Sequence, residues 1–296
     1  MGGSEVSRVR LFASIALVTA CAVAVVAAPA SASIQTLRTP SPSWLTTSLK
    51  QKLQNAGATG VQVAAERLNT DCPGYQSPGV GAAGCIVAPY GCTANFIFTD
   101  GASYYVGTAG HCSNRTGEAV TMQVDPTTLA DVGTVAKRTN HAAGDGMVGD
   151  DFTLVKLDPA VVSKWGVNPA IPFVGGPNGV YDGCGPEAVL HYGHGYGVAT
   201  AQGKLEGGLA TNWFENSYGW TGVGAPGDSG SPVTTSSGQA AGNFTALIVH
   251  TGYLGSNLAG MRATAILRFA GVSLVNADGS TTSGPTSNGC GTDPEW

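Results

Sequence analysis

Apolar and polar residues alternate in short runs along most of this chain, and helical spacing is rare. Residues 96–99, 103–106, 120–124 and 152–157 are short stretches rich in Phe, Ile, Val, Tyr and Thr, separated by Gly, Asp and Asn. Such runs predict half-buried or buried β-strands joined by tight turns. Residues 188–193, 210–214, 232–235 and 245–250 repeat the pattern after a Gly-Pro-Asn-Gly linker at 176–179. Two successive sets of short strands predict an all-β protein of two barrels. A helical stripe occurs near the N-terminus, where Leu45, Leu49 and Leu53 recur every fourth residue. Ser43 is placed to cap that helix and Gly57 to end it.

Composition agrees with short strands. The chain has 296 residues, 44 of them Gly, with 43% hydrophobic and 11% charged residues. That glycine load and low charge argue against a helical bundle. The formal net charge is −5, with no basic cluster beyond pairs such as Lys137-Arg138. A nucleic-acid partner is therefore not expected, and mild acidity serves solubility. A monomer is expected.

The N-terminus reads as a secretory signal over residues 1–32. Arg8 and Arg10 precede an apolar run at 11–28, and Ala30-Ser31-Ala32 offers a small-residue cleavage site. A membrane anchor is the competing reading, but the run closes on small residues and no second span follows. Residues 33–84, with the predicted helix at 43–54, form an N-terminal extension, either a propeptide or a docked segment. The body at 85–275 divides into barrels at 85–178 and 179–275. Residues 276–296 are Gly-, Ser- and Thr-rich and read as a flexible tail, held where Cys290 ties it.

Secretion changes the meaning of the cysteines. Of the 7 in the chain, Cys21 leaves with the signal, and Cys72, Cys85, Cys92, Cys112, Cys184 and Cys290 remain. An even set in an oxidising compartment favours disulfides, whereas no close Cys pair is followed by a second pair, as a zinc site would need.

Three short segments carry chemistry. Gly224-Ala225-Pro226-Gly227-Asp228-Ser229-Gly230-Ser231-Pro232 brackets one serine with glycines. Gly227 and Gly230 can take positive φ and let backbone N–H groups converge where an oxyanion would sit. Serine needs a base to take its proton. Gly107-Thr108-Ala109-Gly110-His111-Cys112 supplies a histidine after a strand-like run, and Asp150-Asp151-Phe152 supplies a carboxylate at the start of another.

The motifs TAGHC, DFTL and GDSGSP, in the order His, Asp, Ser, resemble the chymotrypsin-like serine proteases, in particular compact secreted bacterial members. Subtilisins and α/β-hydrolases use other orders. The resemblance implies two six-stranded Greek-key β-barrels with a short C-terminal helix, here at 263–269, and an active site between the barrels. It implies Ser229 as nucleophile, His111 as general base and Asp151 as its orienting acid, with Asp150 an exposed neighbour. The oxyanion hole falls to the backbone N–H groups of Gly227 and Ser229. The resemblance also implies a Cys92–Cys112 disulfide; the other four cysteines allow three pairings, and the sequence does not choose among them. The implied function is a secreted serine endopeptidase acting on proteins or peptides, with no cofactor and no metal.

Two departures from the family pattern matter. No Arg or Lys precedes an Ile-Val-Gly-Gly start, so Asp228 is expected to meet an internal cation instead of a freed amino terminus. Val223 stands six before the nucleophile, where trypsin-like members carry an aspartate, so cleavage after Lys or Arg is not expected. Val223 and Gly224 predict a pocket for apolar or small side chains. His250, Thr251 and Gly252 fall where the family places the wall that pairs with substrate, and a histidine there resembles the glutamyl endopeptidases. Cleavage after Glu is the alternative, as is a non-catalytic binding protein on the same scaffold. His191 and His194 do not read as a metal pair, since strand positions three apart face opposite ways. His141 reads as a solvated surface histidine.

Overall fold

A computed structural model describes residues 79–125, 127–140, 148–195, 204–225, 227–248, 256–285 and 290–294, with two short strands at Ala58–Thr59 and Gln62–Val63. All of them belong to the unit Ile34–Trp296. The leader at 1–32, the helix at 43–54, His141 and the segment His250, Thr251, Gly252 lie outside the described residues.

Two nine-stranded antiparallel sheets dominate the fold, beside a short parallel pair of Val80–Gly81 with Val167–Asn168. The first contains β1 (Cys85–Ala88), β2 (Cys92–Thr93), β3 (Ile97–Thr99), β4 (Tyr104–Thr108), β5 (Ala119–Asp125), β6 (Thr128–Asn140) and β7 (Asp151–Leu157). The second contains β8 (Glu187–Gly193), β9 (Lys204–Trp213), β10 (Ser217–Thr221), β11 (Pro232–Thr235), β12 (Ala240–Asn243), β13 (Ala246–Leu247) and β14 (Leu258–Met261). Helix α1 (Pro159–Trp165) links the halves, and α2 (Ala263–Ala270) follows the second sheet. A final hairpin, β15 (Ser273–Val275) and β16 (Thr281–Ser283), returns to the first sheet by pairing Ser273 with Thr99. The sheet orders are β16-β15-β3-β4-β7-β6-β5-β1-β2 and β12-β11-β8-β9-β10-β14-β13. Gln62 adds the N-terminal strand pair to the second sheet through Glu206. Each sheet thus reaches nine strands rather than the six expected, two of them added in each sheet by these outlying strand pairs and seven belonging to the body. The architecture is all-β, built on two nine-stranded antiparallel sheets, as the strand patterning predicts.

Strand β7 shows why the fold needs an almost unbroken apolar run. Phe152 and Leu154 pack in a core shared with Leu190, Tyr192 and Met261 of the second sheet. On its other face, Val155 and Leu157 fill the interior of the first barrel with Val106, Val120 and Val132. A strand with both faces buried loses the polar alternation of a surface strand. The second barrel is filled by an aromatic column in which Trp213 stacks on Tyr218 at 4.9 Å and Tyr218 on Trp220 at 5.2 Å.

Local chemistry explains the helices. Asp158 caps α1 by accepting from the Ala160 N–H at 2.7 Å, and Pro159 occupies the first helical position, where its missing N–H costs nothing. Helix α2 turns its apolar face into the shared core and ends at Gly271 in the left-handed conformation (φ 66°). The 13-residue β6 eludes the apolar pattern because Asp131, Thr134, Lys137, Arg138 and Thr139 break up its apolar residues. Gly133 in β6 is set by close approach, since a Cβ there would lie 1.9 Å from the Lys156 carbonyl oxygen.

Candidate active site

His111 sits on a single 3₁₀ turn, Gly110–Cys112, just past the end of β4. The turn presses against its neighbours: a Cβ on Gly110 would lie 1.8 Å from the Thr139 carbonyl oxygen and 2.7 Å from Asp151 Oδ1. Only glycine fits there. Asp151 opens β7 and holds His111 twice, its Oδ1 accepting the backbone N–H and its Oδ2 accepting Nδ1–H, each at 2.8 Å. With Nδ1 as donor, the neutral ring leaves Nε2 as the basic nitrogen. Burial on its own would lower the His111 pKa; the hydrogen bond and charge of Asp151 outweigh it and raise the pKa above the ordinary value. Of the two adjacent acids, Asp151 is the one that meets the histidine.

Other residues fix this turn. Arg138 donates from NH2 to the carbonyls of Gly110 (3.1 Å) and Ser113 (2.9 Å) and from Nε to Ser113 Oγ (3.2 Å), so one guanidinium spans both ends of the turn. The Cys92–Cys112 disulfide ties the turn to β2. From the second barrel, the buried Asn243 Nδ2 donates to the Asp151 carbonyl at 3.1 Å, while its Oδ1 accepts the Met261 N–H at 3.0 Å.

The serine segment is held from both barrels. Gly227 and Gly230 have φ of 100° and 88°. At Gly230 space is also closed, since a Cβ would lie 2.1 Å from Thr108 Oγ1 and 2.3 Å from the Thr93 carbonyl oxygen. Thr93 grips the segment twice, donating its N–H to the Ser229 carbonyl and its Oγ1–H to the Gly227 carbonyl, both at 2.9 Å. Cys112 Sγ lies 3.8 Å from that same Ser229 oxygen. The disulfide and Thr93 thus set the Ser229 backbone beside the turn that carries His111. Asp228 is fully buried, and its carboxylate accepts the N–H groups of Gly195 (2.6 Å) and Ala225 (2.8 Å). Backbone amides therefore answer much of the charge for which the sequence suggested an internal cation. Glycine at 193 and 195 makes room, because a Cβ at either would lie 2.2 Å and 2.6 Å from the Asp228 oxygens.

At the pocket positions, the Val223 carbonyl accepts a hydrogen bond from His191 Nε2 at 2.8 Å. Gly224 faces Phe244 and Leu258, whose atoms would be 3.1 Å and 3.2 Å from a Cβ there. His191 and His194 meet different partners: His194, just past the end of β8, reaches the Ala83 carbonyl through Nε2 at 2.9 Å. Among the described residues, the group with metal-ligand geometry is Cys92, His111 and Cys112, and both of its sulfurs are spent in the disulfide. A second disulfide joins Cys184 to Cys290, and Cys85 is disulfide-bonded as well.

Thr93, Arg138 and Asn243 escaped the sequence reading. Arg138 stood in view as half of a basic pair, but nothing local marks a charged residue on a long strand as a clamp on a turn far away in the chain. Thr93 sits next to Cys92, and that neighbour was its one available signal.

No family model matches the sequence, and no curated protein matches it. Among solved structures, the chain is similar to Thermobifida fusca protease A (20% identity, TM-score 0.44, covering 67% of this chain and 98% of that one). It is also similar to a glutamic acid specific serine protease described as using a histidine triad in substrate binding (19%, TM-score 0.46, 66% and 100%). A third is Cellulomonas bogoriensis chymotrypsin (19%, TM-score 0.42, 67% and 97%).

Proposed function

We propose that the protein is a secreted serine endopeptidase that cleaves peptide bonds through an acyl-enzyme. Ser229 attacks the scissile carbonyl, and His111 Nε2 takes its proton and returns it to the leaving amine. Asp151 holds the ring tautomer and stabilises the imidazolium. The N–H groups of Gly227 and Ser229 bind the oxyanion, each such donor being worth roughly 3–4 kcal/mol in comparable sites. The observation that carries this reading is the double hold of Asp151 on His111, on a turn that Cys92–Cys112 and Thr93 tie to the Ser229 backbone.

Residues 1–32 act as the export signal, in keeping with the Cys92–Cys112 and Cys184–Cys290 disulfides. Residues 33–84 precede the protease body of 85–275 as an extension or propeptide, and 276–296 follow it. Val223 brings no charge to the pocket, and Gly224 faces Phe244 and Leu258, which favours substrates with an apolar or small residue before the cut.

The test is to treat the purified mature protein with a fluorophosphonate and a peptide library. Covalent labelling of Ser229, and cleavage lost in Ser229→Ala, are expected. Wild-type protein that neither labels nor cleaves removes the proposal. Preference for Glu that disappears in His250→Ala would replace the apolar pocket with an acidic-substrate one, and preference for Lys or Arg would overturn both.

A further inference from the structure

Strand β8 carries a buried titratable group for which the catalytic reading has no use. His191 points into the second barrel, against the rings of Trp220 at 6.2 Å and Phe244 at 5.7 Å. Its Nε2 lies 2.9 Å from Oε2 of Glu206, its cross-strand neighbour on β9, and both side chains are essentially without solvent contact. Taking two such groups out of water is costly, and an apolar pair of similar size would fill the space at least as well. The contacts of His191 beyond Glu206 give the pair a different purpose. Nε2–H also reaches the Val223 carbonyl at 2.8 Å, and Nδ1 faces Ser231 Oγ at 3.3 Å. Val223 and Ser231 flank Ser229 on either side. One imidazole therefore touches the serine segment at both ends, at residues other than those Thr93 holds.

We propose that Glu206 and His191 are a positioning pair for the catalytic serine: Glu206 orients the imidazole, and the imidazole anchors the segment at Val223 and Ser231, setting the pocket floor and the seat of Ser229 together. This rests on the reading of Ser229 as nucleophile. The geometry has a consequence for pH. The charged groups facing His191 are Glu206 from β9 and Asp228 from the serine segment. Burial alone would lower its pKa; the hydrogen bond and charge of Glu206, then the charge of Asp228 and the Val223 carbonyl, raise it above the ordinary value. When the proton leaves Nδ1, Ser231 can turn its hydroxyl to donate, so the anchor reverses one bond without letting go. Titration is therefore a weak probe, and substitution is the strong one.

The experiment compares wild type with His191→Phe/Glu206→Leu, which removes both groups together and fills the site with apolar side chains, and with Glu206→Gln, which keeps the shape and an oxygen beside Nε2. Melting temperature, kcat, KM and amide hydrogen exchange across residues 223–231 are measured for each. The double variant is expected to stay folded, to lose about 10- to 100-fold in kcat with a smaller change in KM, as a small misplacement of a reacting group does, and to exchange faster in that segment. Glu206→Gln should keep most of kcat. A folded double variant with wild-type kcat and exchange overturns the proposal. If the double variant does not fold, Ser231→Ala decides: lower kcat and faster exchange at 227–231 with an unchanged melting temperature support it, and no change in either overturns it. Fluorophosphonate labelling of the wild type separates the two readings. If Ser229 is not labelled, the nucleophile reading fails by itself, and segment exchange alone then judges the anchor, faster exchange supporting it and unchanged exchange overturning it.

Discussion

Asp151 meets His111 through both carboxylate oxygens, one on the backbone N–H and one on Nδ1, each at 2.8 Å. The first bond fixes where the residue starts, and the second fixes how its ring is turned. Together they leave Nε2 aimed outward as the basic nitrogen of the neutral ring.

Asp151→Asn keeps the shape of that contact and changes its proton. An amide nitrogen placed toward Nδ1 makes Nδ1 the acceptor and moves the ring proton to Nε2, the wrong tautomer for a base. A fall in kcat of about 10⁴-fold with KM little changed is expected, read from initial rates on a peptide anilide. A loss under tenfold would show that Asp151 does not set the tautomer.

In the proposed mechanism the raised pKa of His111 is expected to set the acid limb of activity. In that mechanism His111 acts as base only when neutral, so kcat/KM should rise with pH through a value above the ordinary histidine pKa of about 6.5. In Asp151→Asn, burial acts alone and the limb should move to lower pH. The sign for stability is opposite: a raised folded-state pKa contributes stability that is complete below the unfolded pKa and is lost as pH rises through the folded one. A limb that stays in place on substitution would assign the titration to another group.

Thr93→Val tests the grip of the first barrel on the serine segment. Valine keeps the shape but leaves the Gly227 carbonyl and the His194 N–H, both served by Thr93 Oγ1, without that partner. A cost of about 1–3 kcal/mol is expected from the stranded buried groups, together with a lower kcat as the Gly227 peptide loses its orientation. Denaturant melts and kcat, measured side by side, check it; an unchanged kcat would separate Thr93 from the oxyanion site.

Cys92→Ala/Cys112→Ala opens a link between residues 20 apart in sequence. The chain-entropy model puts its stabilisation at about 3 kcal/mol. Because the same bond ties the His111 turn to the strand of Thr93, kcat should fall as well. Thermal melts and rates at a temperature well below the transition distinguish the two effects, and a variant with wild-type stability would deny the link its structural part.

Much of the fold was legible because strand patterning and turn chemistry act over a few residues. Apolar runs such as 152–157 and 188–193, the breaks between them, and the glycines that take positive φ at 227 and 230 are properties of the local chain. Strand β6 was less visible because polar residues break up its apolar ones and leave little local signature. The His, Asp and Ser motifs were likewise written in short loops whose glycines are demanded by nearby backbone.

The sequence by itself determined the all-β class, many of the strands, helix α2 and the cast of chemical groups. Only the tertiary structure decided who meets whom. It chose backbone amides for Asp228, Cys290 for Cys184, and Glu206 for His191. It also brought Thr93, Arg138 and Asn243 to the site. The physical reason is that φ, ψ and burial period are set by neighbours in sequence. A partner tens of residues away is set by strand register and by the closure of each sheet, which no local pattern encodes.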